Sequence, residues 1–461
     1  MESAVKINSI ILFCVNLALV RLNILFKYIM DKKITTTLSD KILLFLVFFF
    51  PLIITLRNTA TNIITICVSI IMLIYIFKRR QTNFFENRLV TYVIIFFSFI
   101  FINSIIHFTS FDLLLKSLGN FRYLFLSAAV FIVLEKISDK EKKFFIYFNI
   151  IIISLIALDI LYQFFFYKDI FGFTPGMCTK ILPIKCLRFS GVFGDWLVAG
   201  TYLSQIGSLI LILFLNLELK KSYLNFLIKS FLCLFLLTII LLTGERNALL
   251  IIIISLFFIF LFKKKIINFF LFLIFLLILI FFSAQKIDSI DSRFVKFYDS
   301  WSSTSKEESI ANKLMESPWS YHYRAAIELF LEKPIFGHGP KSFRIKCEDT
   351  NIDKKTKAES QLYHNHRACA THPHNYFLEF LSEQGIVGGI FFLGLIFLVF
   401  INIFRECKNI KNNNMLIVVG TGSLILAIIF PFKPSGSFFT TFNASMLFYI
   451  FGFFLYYLKK S

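Results

Sequence analysis

The stretch His372-Pro373-His374-Asn375-Tyr376-Phe377-Leu378-Glu379-Phe380-Leu381-Ser382-Glu383-Gln384-Gly385-Ile386-Val387-Gly388 joins a polar, histidine-bearing segment to an apolar run long enough to cross a bilayer. Six of the seven histidines lie between His322 and His374, in the one long hydrophilic stretch of an otherwise apolar chain. Titratable side chains gathered beside one membrane face point to chemistry at that face. A substrate for such a place is part lipid and part polar.

Working outward, the chain is 57% hydrophobic with a mean hydropathy of +0.76, which excludes a soluble globular domain. Apolar runs of about 17–24 residues recur, enough to cross a hydrocarbon core of roughly 30 Å. They fall near residues 41–56, 61–77, 89–107, 118–134, 144–166, 194–216, 224–243, 246–262, 266–284, 385–404, 415–432 and 438–457. The fold class expected is therefore an all-α integral membrane protein of about twelve transmembrane helices. Residues 41–284 carry spans one to nine, with a short outward loop near 167–192. Residues 285–384 form a large, partly helical loop between the ninth and tenth spans, and 385–461 carry the last three.

The net charge of +20 is not a nucleic-acid footprint. Its clusters sit at Lys78-Arg79-Arg80, Lys140 to Lys143, Lys220-Lys221, Lys263 to Lys265, Arg405 to Lys411 and Lys459-Lys460. With twelve spans all of them fall on one side, which the positive-inside rule makes the cytoplasm, with both termini inside. The 285–384 segment has equal numbers of acidic and basic residues, as suits a translocated loop. Residues 8–20 are apolar, but Arg21 and Lys27 interrupt the run and no small-residue cleavage site follows. For residues 1–40 a cytoplasm-facing amphipathic helix is expected, with a thirteenth span as the alternative.

Of eight cysteines, Cys178, Cys186, Cys347 and Cys369 face outward in this arrangement. Loop disulfides 178–186 and 347–369 in an oxidising compartment, and free thiols, are both open readings. Within the large loop, Pro318 to Pro334 reads as a short amphipathic helix with Trp319, Ala326, Ile327, Phe330 and Leu331 as its apolar residues. Gly337-His338-Gly339-Pro340 reads as a turn, 345–360 as a mobile tip, and a second helix is expected from Pro373.

Arg246, in Thr243-Gly244-Glu245-Arg246-Asn247, lies between two apolar runs at the outer face. An arginine there needs compensation; it serves as a phosphate clamp, or pairs with Glu245 or snorkels to water. Arg188, just before a span, belongs to the same layer, and two arginines on one face can hold a diphosphate without a metal. An ordinary interfacial anchor is its plain alternative. Arg324 is a third candidate. His374, in the first turn of the expected helix, would be kept neutral by the helix dipole and so can accept a proton, or else it caps that helix. His364-x-His366 and His372-x-His374 flank Cys369 in an assortment zinc accepts, but zinc-finger spacing and an Asp-x-Asp motif are both missing. No metal and no cofactor are expected.

These residues, in this order, resemble the O-antigen ligase and polymerase superfamily of bacterial envelope proteins. The most specific element is His374-Asn375 followed by Gly385 and Gly388. Arg188-Phe189-Ser190-Gly191 resembles the family's Arg-x-x-Gly segment, and Pro334-Ile335-Phe336-Gly337-His338-Gly339 its Pro-hydrophobic-Gly-x-Gly turn. The chain departs from the family at Glu245-Arg246-Asn247, where Ser-Arg-Gly or Ser-Arg-Ala is usual; the neighbouring carboxylate puts phosphate binding by Arg246 in question.

The resemblance implies a metal-independent, inverting glycosyltransferase in the bacterial inner membrane, with its active site facing the periplasm and the 285–384 loop periplasmic. Its donor would be a glycan on a polyprenyl (undecaprenyl) diphosphate, and its acceptor lipid A–core or another glycan. Arg188, Arg246 and His374 would be catalytic, with Arg324, Asn375 and His338 as substrate contacts. Ligase is the first expectation and polymerase the second. A transporter or flippase of lipid-linked sugars predicts charges through the span interiors and matching halves, which the sequence lacks.

Overall fold

The computed structural model describes residues 37–79, 83–108, 110–177, 187–217, 222–295, 318–349, 369–408 and 414–460. The expected N-terminal helix, the Cys178–Cys186 pair, His364, His366 and most of the expected 345–360 tip lie outside these residues. Helix dominates, because in hydrocarbon each segment must satisfy its own backbone N–H and C=O groups. In chain order the helices are α1 (Leu38–Ile53), α2 (Arg57–Arg79), α3 (Arg88–Ile106), α4 (Phe111–Gly119), α5 (Phe121–Lys136), α6 (Asp139–Phe166) and α7 (Ala199–Leu215). They continue with α8 (Ser222–Leu242), α9 (Arg246–Phe262), α10 (Ile266–Ala284), α11 (Pro318–Glu332), α12 (Phe343–Asp349), α13 (Tyr376–Lys408), α14 (Met415–Ile428) and α15 (Thr441–Lys459). A two-residue antiparallel pair, β1 (Gly176–Met177) with β2 (Leu187–Arg188), joins the ends of the short loop.

Among the described residues, eight stretches are long and apolar enough to cross a membrane, the first running from Leu38 to Phe77 over both α1 and α2. Three shorter apolar helices, α7, α9 and α14, accompany them. The chain is thus a multi-pass, all-α membrane protein. A count of twelve crossings adds the shorter helices and divides Leu38–Phe77 at Arg57, whose φ of 71° breaks the helix.

α14 and α15 form the centre, buried along nearly their whole length, while α10 turns Ile267, Phe270, Leu271, Leu277 and Phe281 outward. An apolar surface of that extent has hydrocarbon as its solvent. Polar side chains repair the backbone where a helix is interrupted. Pro51 lacks the N–H that would bond the carbonyl of Val47, and the Tyr449 hydroxyl donates to that oxygen at 2.8 Å instead.

The large loop packs a second, smaller core. The helix expected over Pro318–Pro334 is α11, but its buried face is Tyr321, Ala325, Ala326 and Leu329, set against Phe343, Cys347 and Cys369. Ile327 and Leu331, expected inside, are exposed. Cys347 and Cys369 are joined in a disulfide with Cα atoms 5.6 Å apart, which decides between the two readings of that pair. Closing a loop of 22 residues removes unfolded-state entropy worth about 3 kcal/mol. Cys347→Ser with Cys369→Ser should therefore make α11 and α12 open first. Limited proteolysis of 318–369 in detergent checks this, and unchanged cleavage would discount the bridge as a fastener.

Candidate functional site

Two backbone turns interlock first. Gly385 (φ 65°) breaks α13, and Gly337 (φ 68°) bends the loop after α11. A Cβ on Gly385 would lie 2.2 Å from the Ile335 carbonyl oxygen, and one on Gly337 would lie 2.4 Å from the Glu383 carbonyl carbon. Backbone bonds from Gly339 to Glu383 (2.8 Å) and from Ile386 to Pro334 (2.7 Å) run between the two turns. Only residues without a side chain permit this approach. The Pro-hydrophobic-Gly-x-Gly turn and the glycine after the His-Asn pair are thus two halves of one joint, which fixes α11 against α13.

The helix expected from Pro373 begins at Tyr376. Asn375 caps it, accepting from the Leu378 N–H at 3.0 Å on Oδ1, and its Nδ2 donates to the carbonyls of Pro431 (2.7 Å) and Lys433 (3.3 Å). His374 therefore precedes the cap, in a left-handed conformation (φ 55°), rather than occupying the first turn. Its ring sits 4.2 Å from that of His372 and 5.0 Å from that of His322, centroid to centroid. Its carbonyl accepts from the Ser435 N–H at 2.8 Å. Burial first, then His322, pulls the His374 imidazole down to about 4, against the Ser435 bond. Burial and His374 pull His372 down to about 3. The neutral form expected of His374 follows from burial and neighbouring imidazoles, and not from the helix dipole.

A cavity of about 840 Å³ opens beside this segment, lined by Arg188, Arg246, Arg293 and Lys433 among apolar walls that include Leu249, Ile253 and Phe432. The short loop supplies Arg188 through β2, and its guanidinium donates to the Leu197 carbonyl at 2.8 Å. Arg246 opens α9, after the Gly244 turn (φ 66°), and lies 5.3 Å over the Trp319 ring of α11. Arg293 stands in the helical turn Asp291–Val295, its Nε donating to the Gly244 carbonyl at 2.9 Å. Burial and then the charges of Arg246 and Arg188 hold Arg293 down to about 10, still a cation at neutral pH. Burial likewise lowers Arg188, partly offset by Glu245.

Glu245, the departure from the family pattern, accepts from the backbone N–H of Gly200 (2.7 Å) and from the Thr201 N–H and hydroxyl (3.1 and 2.7 Å). It thereby caps the N-terminus of α7, where the helix dipole favours an anion. The same carboxylate comes within 3.7 Å of Arg188.

The structure thus brings Arg188 and Arg246 into one cavity and sets His374 just behind its wall, next to the lining residues Tyr376, Lys433 and Pro434. The other candidates stand elsewhere. Arg324 is exposed and lies 5.9 Å over the Tyr321 ring. His338 is buried and does not line the cavity; its Nε2 lies 3.0 Å from the Leu329 carbonyl and 3.5 Å from Glu332. Asn375 uses its amide on the backbone. Arg293 and Lys433 were not singled out in the sequence. Lys433 carried a signal nevertheless: it is a lone cation in the short turn between the last two apolar runs.

Residues 231–393 match the family model described as O-antigen ligase. This stretch is an O-antigen ligase family domain. It includes Arg246, Arg293, Arg324, His338, His374 and Asn375, so the resemblance read from the motifs is shown over that stretch. Arg188 and Lys433, which line the same cavity as Arg246, fall outside it on either side. No curated protein matches the chain. The family consists of membrane glycosyltransferase-like enzymes, O-antigen ligases and polymerases, that use lipid-linked glycans.

Proposed function

We propose that this protein is an O-antigen ligase-type glycosyltransferase. It moves a glycan from a polyprenyl diphosphate to lipid A–core at the periplasmic face of the bacterial inner membrane. In this reading twelve spans leave both termini in the cytoplasm, and residues 285–384 form the periplasmic loop. The supporting observation is the cavity itself, which sets three arginines and a lysine within apolar walls. Guanidinium forks match phosphate oxygens in bidentate fashion, and the walls suit the first isoprene units.

In the reaction proposed, Arg188 and Arg246, with Arg293 beside them, hold the diphosphate. The acceptor hydroxyl oxygen bonds to the anomeric carbon as that carbon's bond to the phosphate oxygen breaks. The diphosphate leaves with the electron pair, and the arginines stabilise the charge that develops on it. His374, neutral and close by, receives the hydroxyl proton or orients the hydroxyl. One displacement inverts the anomeric configuration, and no step requires a metal.

The test is transfer by the purified protein in detergent with a chelator present, using a polyprenyl-diphosphate glycan with lipid A–core or with no added acceptor. Glycan on lipid A–core, lost in His374→Ala, is the expected result. Longer glycans on the carrier without added acceptor would make it a polymerase. Donor binding with no transfer in either tube would favour a carrier of lipid-linked sugars.

A further inference from the structure

Lys433 stands in the turn Phe432-Lys433-Pro434-Ser435-Gly436-Ser437 between α14 and α15. It is 4% exposed, yet it lines the cavity, with its ammonium 5.4 Å over the Tyr376 ring. The titratable and charged groups that share the cavity are Arg188, Arg246, Arg293, Glu245, Tyr323 and Tyr376. Glu245, the carboxylate among them, is directed at Gly200, Thr201 and Arg188. A buried ammonium facing a cavity already rich in cations is unfavourable until an anion arrives. Burial accordingly pulls the Lys433 amine down to about 7.

The turn is held in place from α13. Ser435 donates to the His374 carbonyl at 2.8 Å, and Asn375 donates to the carbonyls of Pro431 and Lys433. Glu379, one helical turn on, accepts from the Ser437 hydroxyl and from the Phe438 N–H at 2.8 Å. These bonds keep the backbone at Lys433 against the cavity. The structural work of the His-Asn pair is thus to present this lysine.

We propose that Lys433 is a further ligand of the diphosphate, presented by the His374–Asn375 segment and protonated as the anion binds. This rests on the reading of the cavity as a diphosphate site. The entering anion draws one proton from solvent onto the amine, and the resulting ammonium donates to phosphate oxygens. Lysine suits this role because its pKa moves readily on burial, whereas arginine stays protonated throughout.

The test uses the full-length protein in detergent and farnesyl diphosphate as probe, by calorimetry at about pH 8 in two buffers of different ionisation enthalpy. Wild type should bind with uptake of about one proton. Lys433→Met should bind roughly tenfold more weakly without the uptake, and should melt no earlier than wild type, since it replaces a buried amine with an apolar side chain of similar length. Lys433→Arg should bind without the uptake. Wild-type affinity and uptake in Lys433→Met, with Arg246→Ala weakened, would overturn the role of Lys433 alone. Equal binding by wild type and Arg246→Ala, or none by wild type, would overturn the diphosphate reading as well.

Discussion

Arg246→Ala should lower glycan transfer by at least about a hundredfold while leaving the protein folded. Arg246 sits where stability alone would not put an arginine. It opens α9, at the positive end of the helix dipole, where a cation is disfavoured. It shares a half-buried cavity with Arg188, Arg293 and Lys433, all of the same sign. Truncation relieves both penalties while giving up, among its contacts, the stacking on Trp319 at 5.3 Å, so the melting temperature should change little. The position is reversed when an anion occupies the cavity. The N-terminal backbone of α9 and the guanidinium then act together on the same charge, most strongly as the diphosphate departs. Arg246→Lys keeps the charge without the fork and should retain roughly a tenth of the rate. Transfer by the purified variants, paired with their melting curves, makes the measurement. Wild-type turnover by a folded Arg246→Ala would remove Arg246 from the chemistry.

The same cluster explains how much could be read beforehand. Apolar runs report helices in a membrane because backbone satisfaction leaves few alternatives, and each expected run is occupied by helix. Arg188 and Arg246 stood out because each interrupts or borders such a run. Which face of a helix is buried was less legible. On α11 the apolar residues surround the helix, so Ile327 and Leu331 were as plausible inside as Ala325 and Leu329. Arg293 and Lys433 were hidden for a further reason. They come from segments 140 residues apart in sequence, and their meeting depends on how α9, α11, α13 and the turn between α14 and α15 close around one cavity. The histidine segment was legible as a motif but not as a conformation. The positive φ of His374 and the cap at Asn375 move the imidazole ahead of the helix, and that changes the cause of its neutrality.

Gly385→Ala should damage the fold severely. Gly385 has φ 65° and ψ −164°, a region open essentially to glycine alone, where strain costs about 1–3 kcal/mol. The added Cβ would also meet the Ile335 carbonyl oxygen at 2.2 Å, the Ile335 carbonyl carbon at 2.4 Å and the Phe336 nitrogen at 2.6 Å. All three are backbone atoms, so no side chain can rotate away, and the two turns must part. Parting them breaks the Ile386–Pro334 and Gly339–Glu383 bonds. It also frees the Asn103 amide, which bonds the Phe336 carbonyl and the Gln384 side chain at 2.9 and 2.6 Å. The joint carries α11, and with it Trp319 and Tyr323 at the cavity wall, so transfer should fall together with stability. The expected loss is on the order of 4 kcal/mol, seen as early melting and a poor yield of monodisperse protein. Gly119→Ala supplies the control, since nothing lies within 4 Å of a Cβ there and alanine favours the helix. If Gly385→Ala melts with wild type, the two glycine turns are not the joint that holds the outer loop to the membrane helices.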